Sequence, residues 1–122
     1  MTYTLFLDDI RFPADVRYDY GPYKDLIICR SYYDAVWAVE QYGLPKFIAF
    51  DHDLGEIPGS GHHGMGFAKW FCDYVMDNDL DLPDNFGYNV HSANPVGAEN
   101  IRCYMKNFLE VYKNELRRKS TN

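Results

Sequence analysis

Side chains that can transfer protons or bind a metal ion stand directly after three short apolar runs of the sequence. Carboxylates and imidazoles can do such chemistry near neutral pH. They are not needed to end an apolar run, because a glycine or a proline would be enough for that. Their types and positions therefore indicate a functional site. The three clusters consist of Asp8, Asp9 and Arg11, then Asp51, His52 and Asp53, and finally His91, Ser92 and Asn94.

The elements that must position these clusters are short strands. Runs of aliphatic and aromatic residues between turn signals are typical of strands buried inside an α/β protein. The sequence predicts four of them: YTLFL at 3–7, LIIC at 26–29, FIAF at 47–50 and FGYNV at 86–90.

Helical patterns separate these strands. Ser31 and Asp34 form a capping-box pattern for a helix that ends at Gly43. Apolar residues at i, i+3, i+4, i+7 and i+8 from Phe67 predict a second helix. The Asn-Pro pair at 94–95 predicts the start of a long C-terminal helix.

Strands that alternate with helices predict an α/β fold with a mostly parallel sheet and helices on both faces. We expect one domain over residues 1–122, because no repeat or linker interrupts the pattern. In such sheets ligands bind at the carboxyl ends of the strands, and neighbouring strands lie about 4.8 Å apart. The three polar clusters are therefore expected to converge at one edge.

Composition narrows the class of protein. The hydrophobic content of 47% and aromatic content of 17% are typical of an ordered globular protein. A net charge of −6 argues against an extended nucleic-acid surface, and we interpret the basic residues at 117–119 as partners of a helix dipole. No stretch has the length and apolarity of a membrane span, and Cys29, Cys72 and Cys103 form no C-x-x-C motif. We expect a cytoplasmic protein with buried free thiols and no membrane partner.

Carboxylates brought to one edge would repel one another. Two unit charges about 4 Å apart repel by roughly 4 kcal/mol at an effective dielectric constant of about 20. A bound divalent cation, a raised pKa of one carboxyl group or pairing with Arg11 would each relieve the repulsion among Asp8, Asp9, Asp51 and Asp53. Any of the three is typical of a working site.

Each polar residue taken alone also has a structural interpretation. Asp8 or Asp9 can cap a turn before Pro13, and Asn94 is a good helix cap. The joint placement at three strand ends favours a functional site. The adjacent histidines at 62–63 lie in the string GSGHHGMG, which indicates a turn-rich loop more than a metal site.

The acid pair after strand one, the Asp after strand three and the hydroxyl residue after strand four resemble the receiver domains of response regulators. That resemblance implies a flavodoxin-like three-layer sandwich in which Asp8, Asp9 and Asp51 hold Mg²⁺ and Asp51 accepts a phosphoryl group, with Ser92 as the hydroxyl residue. The chain departs from that pattern after residue 95, where one long helix replaces the fifth strand and its lysine.

The strings DDIR, FDHDLG and VHSANPVGAENI look like a divergent receiver-like family of bacteria and phages that is predicted to process cyclic phosphates and is associated with RNA repair. The resemblance covers residues 4–101. It implies a phosphoesterase, a hydrolase acting on 2′,3′-cyclic phosphate ends or cyclic nucleotides. The expected partner is a small phosphorylated ligand or an RNA terminus.

Opening a 2′,3′-cyclic phosphate requires an activated water and a protonated leaving oxygen. Imidazoles can do both near neutral pH, so His52 and His91 are the candidate base and acid. Asp51 and Asp53 would orient them or hold Mg²⁺.

Three further residues are candidates for holding the phosphate. Arg11 offers a planar guanidinium that binds phosphate through two hydrogen bonds. Ser92 and Asn94 stand where the amides that open the last helix can form an anion site.

Two other functions fit the same residues. The fold could serve as a nucleotide- or protein-binding module without catalysis, or as a phosphoacceptor switch with Asp51 as the acceptor. The missing lysine and the added histidines argue against the switch. The sequence leaves the oligomeric state open.

Overall fold

The computed structural model of the chain describes residues 2–9, 25–51, 63–92 and 94–120. From residue 26 onward, strands and helices alternate as the sequence predicted. In chain order the elements are β1 (Thr4–Leu7), β2 (Leu26–Cys29), α1 (Tyr32–Tyr42), β3 (Phe47–Phe50), α2 (Gly64–Asp77), β4 (Gly87–Val90) and α3 (Pro95–Ser120).

The four strands form one parallel sheet in the order β2-β1-β3-β4. Parallel strands place all their carboxyl ends at the same edge, which we call the carboxyl edge. The predicted receiver-like α/β fold, with a short parallel sheet and a long C-terminal helix, is confirmed.

Backbone hydrogen bonds extend the pairing one residue past the strands. The amide of Asp8 donates to the carbonyl of Cys29 at 3.1 Å, and the amide of Asp51 donates to that of Leu7 at 3.0 Å. On the other side, the His91 amide donates to a β3 carbonyl at 2.9 Å. The first polar residue after each of β1, β3 and β4 is therefore fixed by the sheet itself.

The described helices cover one face of this sheet. α1 packs against α2, and α2 packs against α3, so the three form a single layer. Leu7, Phe50 and Val90 project into the apolar core beneath that layer. Phe6 is fully buried but lies outside that core, which places it on the opposite face because successive strand side chains alternate.

The predicted helix starts are confirmed. The Ser31 hydroxyl accepts from the amide of Asp34 at 3.1 Å, and the Asn94 side-chain oxygen accepts from the amide of Gly97 at 3.0 Å. Gly43 ends α1 with a φ of +86°, a conformation that favours glycine. These caps fix where α1 and α3 begin relative to the carboxyl edge.

The second half of α3 departs from the predicted apolar face. Ile101, Met105 and Phe108 are buried as expected, whereas Leu116 is 42% exposed. The last turns are held by polar contacts instead. The Tyr112 hydroxyl accepts from the Leu82 amide at 2.9 Å. Near the C-terminal end of α3, Lys119 forms an ion pair with Asp79 in the loop after α2.

The expectation of buried thiols is right for Cys29 and Cys72 and wrong for Cys103, which is exposed on α3. Cys103 stands two residues after Ile101, about 200° around the helix from the buried stripe. Among the described residues, no helix is long and apolar enough to cross a membrane.

Candidate active site at the carboxyl edge

Three carboxylates meet at the carboxyl edge. Asp8, Asp9 and Asp51 each bring one oxygen to a place where all three oxygens lie within 4.8 Å of one another. Asp8 is 0% exposed and Asp51 is 4% exposed, so water screens their repulsion poorly. Hard oxygen ligands in this arrangement could bind a divalent metal ion. We call these three residues the acidic cluster.

An imidazole neighbours the cluster. The His91 Nε2 lies 3.0 Å from the Asp8 Oδ2, and both side chains are almost completely buried. An ionised Asp8 carboxylate can only accept a hydrogen bond, so pairing with it requires a proton on the Nε2 of His91. The ring of His91 also stacks on Phe6, with ring centroids 4.8 Å apart and planes 5° from parallel.

The burial of His91 bears on its role. A side chain that is 2% exposed and held by both the contact with Asp8 and a stacked ring is well suited to holding Asp8 in one orientation. Its predicted role as a general acid stays a prediction.

The side chains of Asp8 and His91 lie, together with that of Phe6, on the face of the sheet opposite the helices. Asp8 follows Phe6 by two residues, and the period of two therefore places both on the same side. The Phe6–His91 stacking contact confirms this for His91. The strands thus carry the apolar core on one face and the candidate site at the end of the other.

The serine and the asparagine after β4 have local partners. The Ser92 hydroxyl oxygen accepts from the amide of Asn94 at 3.1 Å, while the Asn94 side chain caps α3. A hydroxyl can accept and donate at once, so this turn is compatible with Ser92 as a donor to an anion. The predicted phosphate-binding roles of both residues stay predictions.

Several predicted residues fall outside the described part of the chain. Arg11, His52 and Asp53 are among them, as is His62. His63 is described, and its Nδ1 accepts from the amide of Gly66 at 3.0 Å as the N-cap of α2. A structural role therefore explains His63.

Sequence reasoning missed one charged residue at this edge. Arg30 directly follows β2, and its Nη1 donates to the main-chain carbonyl of Asp8 at 3.1 Å. The signal was present, because Arg30 stands after the run LIIC as Asp8 stands after the first strand. Arg30 was overlooked because it directly precedes Ser31, which the sequence assigns to the cap of α1.

The sheet order and the acidic cluster together define a receiver-like protein. The chain matches the family model of the cyclic-phosphate processing receiver domain over residues 3–107. It belongs to this family.

Similarity to solved structures concerns the fold. A structure described as the yeast Spc42 trimeric coiled coil, amino acids 181–211, in a fusion matches with a TM-score of 0.51 and 20% identity. The match covers 94% of this chain and 83% of that chain. Because the identity is only 20%, this structural match supports the α/β architecture and nothing further. A search of curated proteins gave no match.

Proposed function

We propose that this protein is a hydrolase that opens a cyclic phosphate ester, with a 2′,3′-cyclic phosphate as the favoured substrate. The family is described by the processing of cyclic phosphates. The observation that carries the proposal is the buried Asp8–His91 contact beside two further carboxylates. Burying such a group of charges costs free energy, and clusters of this kind are typical of binding and catalytic sites.

The acidic cluster fits a divalent cation such as Mg²⁺. Its donors are all carboxylate oxygens, and Asp8 and Asp51 are buried, so a cation would offset charge that water does not. A bound Mg²⁺ would polarise the phosphate and lower the pKa of a coordinated water. The protein's contribution is to hold Asp8, Asp9 and Asp51 in place before the ion arrives.

His91 serves this site as a positioning residue. Its Nε2 contacts one oxygen of Asp8 at 3.0 Å, and the stacked ring of Phe6 fixes the imidazole plane. Asp8 therefore presents its carboxylate in one orientation. Positioning of this kind raises the affinity of a metal site.

Proton transfer is assigned to the two histidines. His52 is the proposed general base and His91 the proposed general acid, with Asp53 orienting them. A water oxygen attacks phosphorus, and the bond from phosphorus to one ribose oxygen breaks. The water gives up a proton, the ribose oxygen takes one up, and the product is a phosphate monoester.

Substrate capture requires cations beside the carboxylates. Arg11 is the proposed phosphate ligand, supported by Ser92 and Asn94 at the start of α3. The substrate is a small cyclic nucleotide or the end of an RNA, since a net charge of −6 disfavours long stretches of phosphate backbone.

A phosphoacceptor switch is the second candidate function. Asp51 lies within the acidic cluster and is the position that accepts a phosphoryl group in receiver domains. Incubation with acetyl phosphate and Mg²⁺ followed by mass spectrometry distinguishes the two. The hydrolase proposal predicts no gain in mass, and a gain of one phosphoryl group supports the switch.

The test of the hydrolase proposal is a substrate panel. The purified protein is incubated with 2′,3′-cyclic and 3′,5′-cyclic nucleotides, in Mg²⁺ or in EDTA, and the products are separated by chromatography. We expect a 2′,3′-cyclic nucleotide to give one monophosphate in Mg²⁺ and far less product in EDTA. Binding of a nucleotide without turnover of any substrate would contradict the proposal and favour a binding module.

A further inference from the structure

Strand β2 is an edge strand with an outward-facing row of backbone groups. The order β2-β1-β3-β4 gives it one neighbouring strand, β1. β1 donates hydrogen bonds to the carbonyls of Asp25 and Cys29, and the alternation along a strand therefore turns the backbone groups of Leu26 and Ile28 away from β1. Among the described residues, no strand pairs with this outer side, which we call the β2 edge.

The other edge strand is protected, and this distinguishes the two edges. At β4 the Arg102 Nη2 donates to the carbonyl of Val90 at 3.3 Å. Edge strands are commonly protected by a charged side chain or a proline, because exposed backbone groups pair readily with other chains. β2 reads LIIC and contains neither. The β2 edge is therefore a template on which another strand can pair.

The side chains around the β2 edge are apolar and exposed. Leu26 and Ile28 are each 38% exposed, and the register of Ile28 with Phe6 places them on the face opposite the helices. On the helix face, Trp37 is 56% exposed and Tyr42 is 41% exposed. Exposed apolar side chains that cluster in this way mark interaction sites, and Trp and Tyr contribute most to binding there.

A groove of about 240 Å³ lies between β2 and α1. Its lining includes Ile27 and Cys29 from β2 and Asp34, Trp37 and Tyr42 from α1. The two aromatic rings are in edge-to-face contact, with centroids 5.7 Å apart and planes at 89°, so each holds the other in place. The groove thus combines aromatic rings with one carboxylate, and this combination favours a cationic side chain as its occupant.

The charges around the groove select the kind of partner. Asp25 precedes β2, and α1 carries Asp34 and Glu40 but no lysine or arginine. All three acidic residues are exposed. The nearest cation along β2, Arg30, directs its Nη1 to the Asp8 carbonyl at the carboxyl edge. A second copy of this chain would bring the same acidic residues together, whereas a segment with Lys or Arg would be attracted.

We propose that the β2 edge binds an extended segment of a partner protein, which adds a strand to the sheet and places an Arg or Lys side chain in the groove. Backbone hydrogen bonds to Leu26 and Ile28 supply affinity, as in other cases of strand addition. Alternate side chains of the segment point to the helix face, where the cation contacts Trp37 and Asp34. The inference is independent of the proposed hydrolase activity.

The experiment titrates the full chain with three short, fluorescently labelled peptides of alternating valine and threonine. One has a central arginine, one has a central glutamate, and one has the central arginine between two prolines, which cannot donate backbone hydrogen bonds. Fluorescence anisotropy measures affinity, and amide hydrogen exchange reports on Leu26 and Ile28. We expect the arginine peptide to bind and to slow exchange of both amides, and the other two to bind about tenfold more weakly or less.

Variants of the protein locate the binding. Trp37→Ala removes an exposed ring, and we expect it to weaken the arginine peptide about tenfold or more. Asp34→Asn removes one exposed charge and should weaken it about twofold to fivefold. The matched controls on α3 are Val111→Ala, which shortens another exposed apolar side chain, and Glu110→Gln, which removes another exposed acid. Both should leave the affinity within about twofold.

Three results would overturn the inference. The first is no binding of the arginine peptide to the wild type, or equal binding of the arginine and glutamate peptides. The second is binding that Trp37→Ala leaves unchanged, or that does not slow exchange at Leu26 and Ile28. The third is a wild-type dimer in sedimentation that Trp37→Ala dissociates, because the occupant would then be a second copy. Circular dichroism checks the fold of each variant, and the peptide comparison on the wild type keeps the test decisive if Trp37→Ala does not fold.

Discussion

The two faces of the sheet use the same strands for opposite purposes. Leu7 and Asp8 are adjacent in the sequence and both 0% exposed. Leu7 lies in the apolar core beneath the helices, whereas Asp8 points to the other side and contacts His91. Because successive side chains of a strand point to opposite faces, one residue contributes to the apolar core and the next contributes to the candidate site.

The electrostatics of the two faces differ in the same way. The core beneath the helices consists of apolar side chains, and its burial stabilises the fold without further partners. The site face buries the carboxyl groups of Asp8 and Asp51, and taking such groups out of water costs free energy, whereas burying apolar side chains is favourable. Substitutions in the apolar core should therefore mainly lower the free energy of unfolding, whereas substitutions in the acidic cluster should mainly lower metal binding and turnover.

The largest effect on stability should come from the core face. Phe71 is 0% exposed and packs against the rings of Phe67, Phe86 and Phe108. We expect Phe71→Ala to lower the free energy of unfolding by about 4 kcal/mol, because it removes a buried ring and leaves a cavity. Urea unfolding followed by circular dichroism measures it. A loss below about 1 kcal/mol would show that this core is not close-packed.

A mixed effect is expected at His91. His91→Ala leaves the buried Asp8 carboxylate without its imidazole partner, at a cost of about 3 kcal/mol, and should also weaken Mg²⁺ binding. The matched control is His63→Ala, which removes only a helix cap and should cost about 1 kcal/mol or less. Equal losses in the two variants would contradict the account of a buried pair.

Asp51→Asn should separate function from stability. The amide keeps the shape of the side chain but removes one charge from the acidic cluster, so we expect turnover to fall about 100-fold or more. The free energy of unfolding of the metal-free protein should change by less than about 1 kcal/mol, because the relief of like-charge repulsion offsets the contacts that the carboxylate loses. Equal activity in variant and wild type would remove Asp51 from the site.

The smallest effect, absent at neutral pH, comes from the core thiols. Burial raises the pKa of Cys29 and of Cys72 from 9.0 to about 12. The folded state therefore holds these protons more tightly than the unfolded state, so their contribution is complete below pH 9 and is lost as the pH rises towards 12. Cys29→Ala should show a shallower loss of stability over this range than the wild type. Parallel curves would contradict the assignment.

Much of this arrangement could be predicted from the sequence because it follows from local rules. Apolar runs such as FIAF specify strands, and parallel strands bring Asp8, Asp51 and His91 to one edge without any knowledge of side-chain packing. The caps at Ser31 and Asn94 follow from side-chain chemistry within three residues.

The features of the site that the sequence did not predict are contacts between residues of different strands. The stacking of His91 on Phe6 requires the order of β1, β3 and β4 and their register, which a single sequence does not specify. Arg30 was missed because its contact with Asp8 joins the ends of two different strands, β2 and β1. The exposure of Cys103 was within reach, since a count of 100° per residue from Ile101 places it outside the buried stripe.

The most direct test of the central claim is the Mg²⁺ dependence of turnover of a 2′,3′-cyclic nucleotide by the wild type and by Asp51→Asn. The account predicts a rate that rises with Mg²⁺ to saturation in the wild type and is almost absent in the variant at every concentration. Turnover that persists in EDTA, or that is equal in the two proteins, would contradict a site built on the acidic cluster.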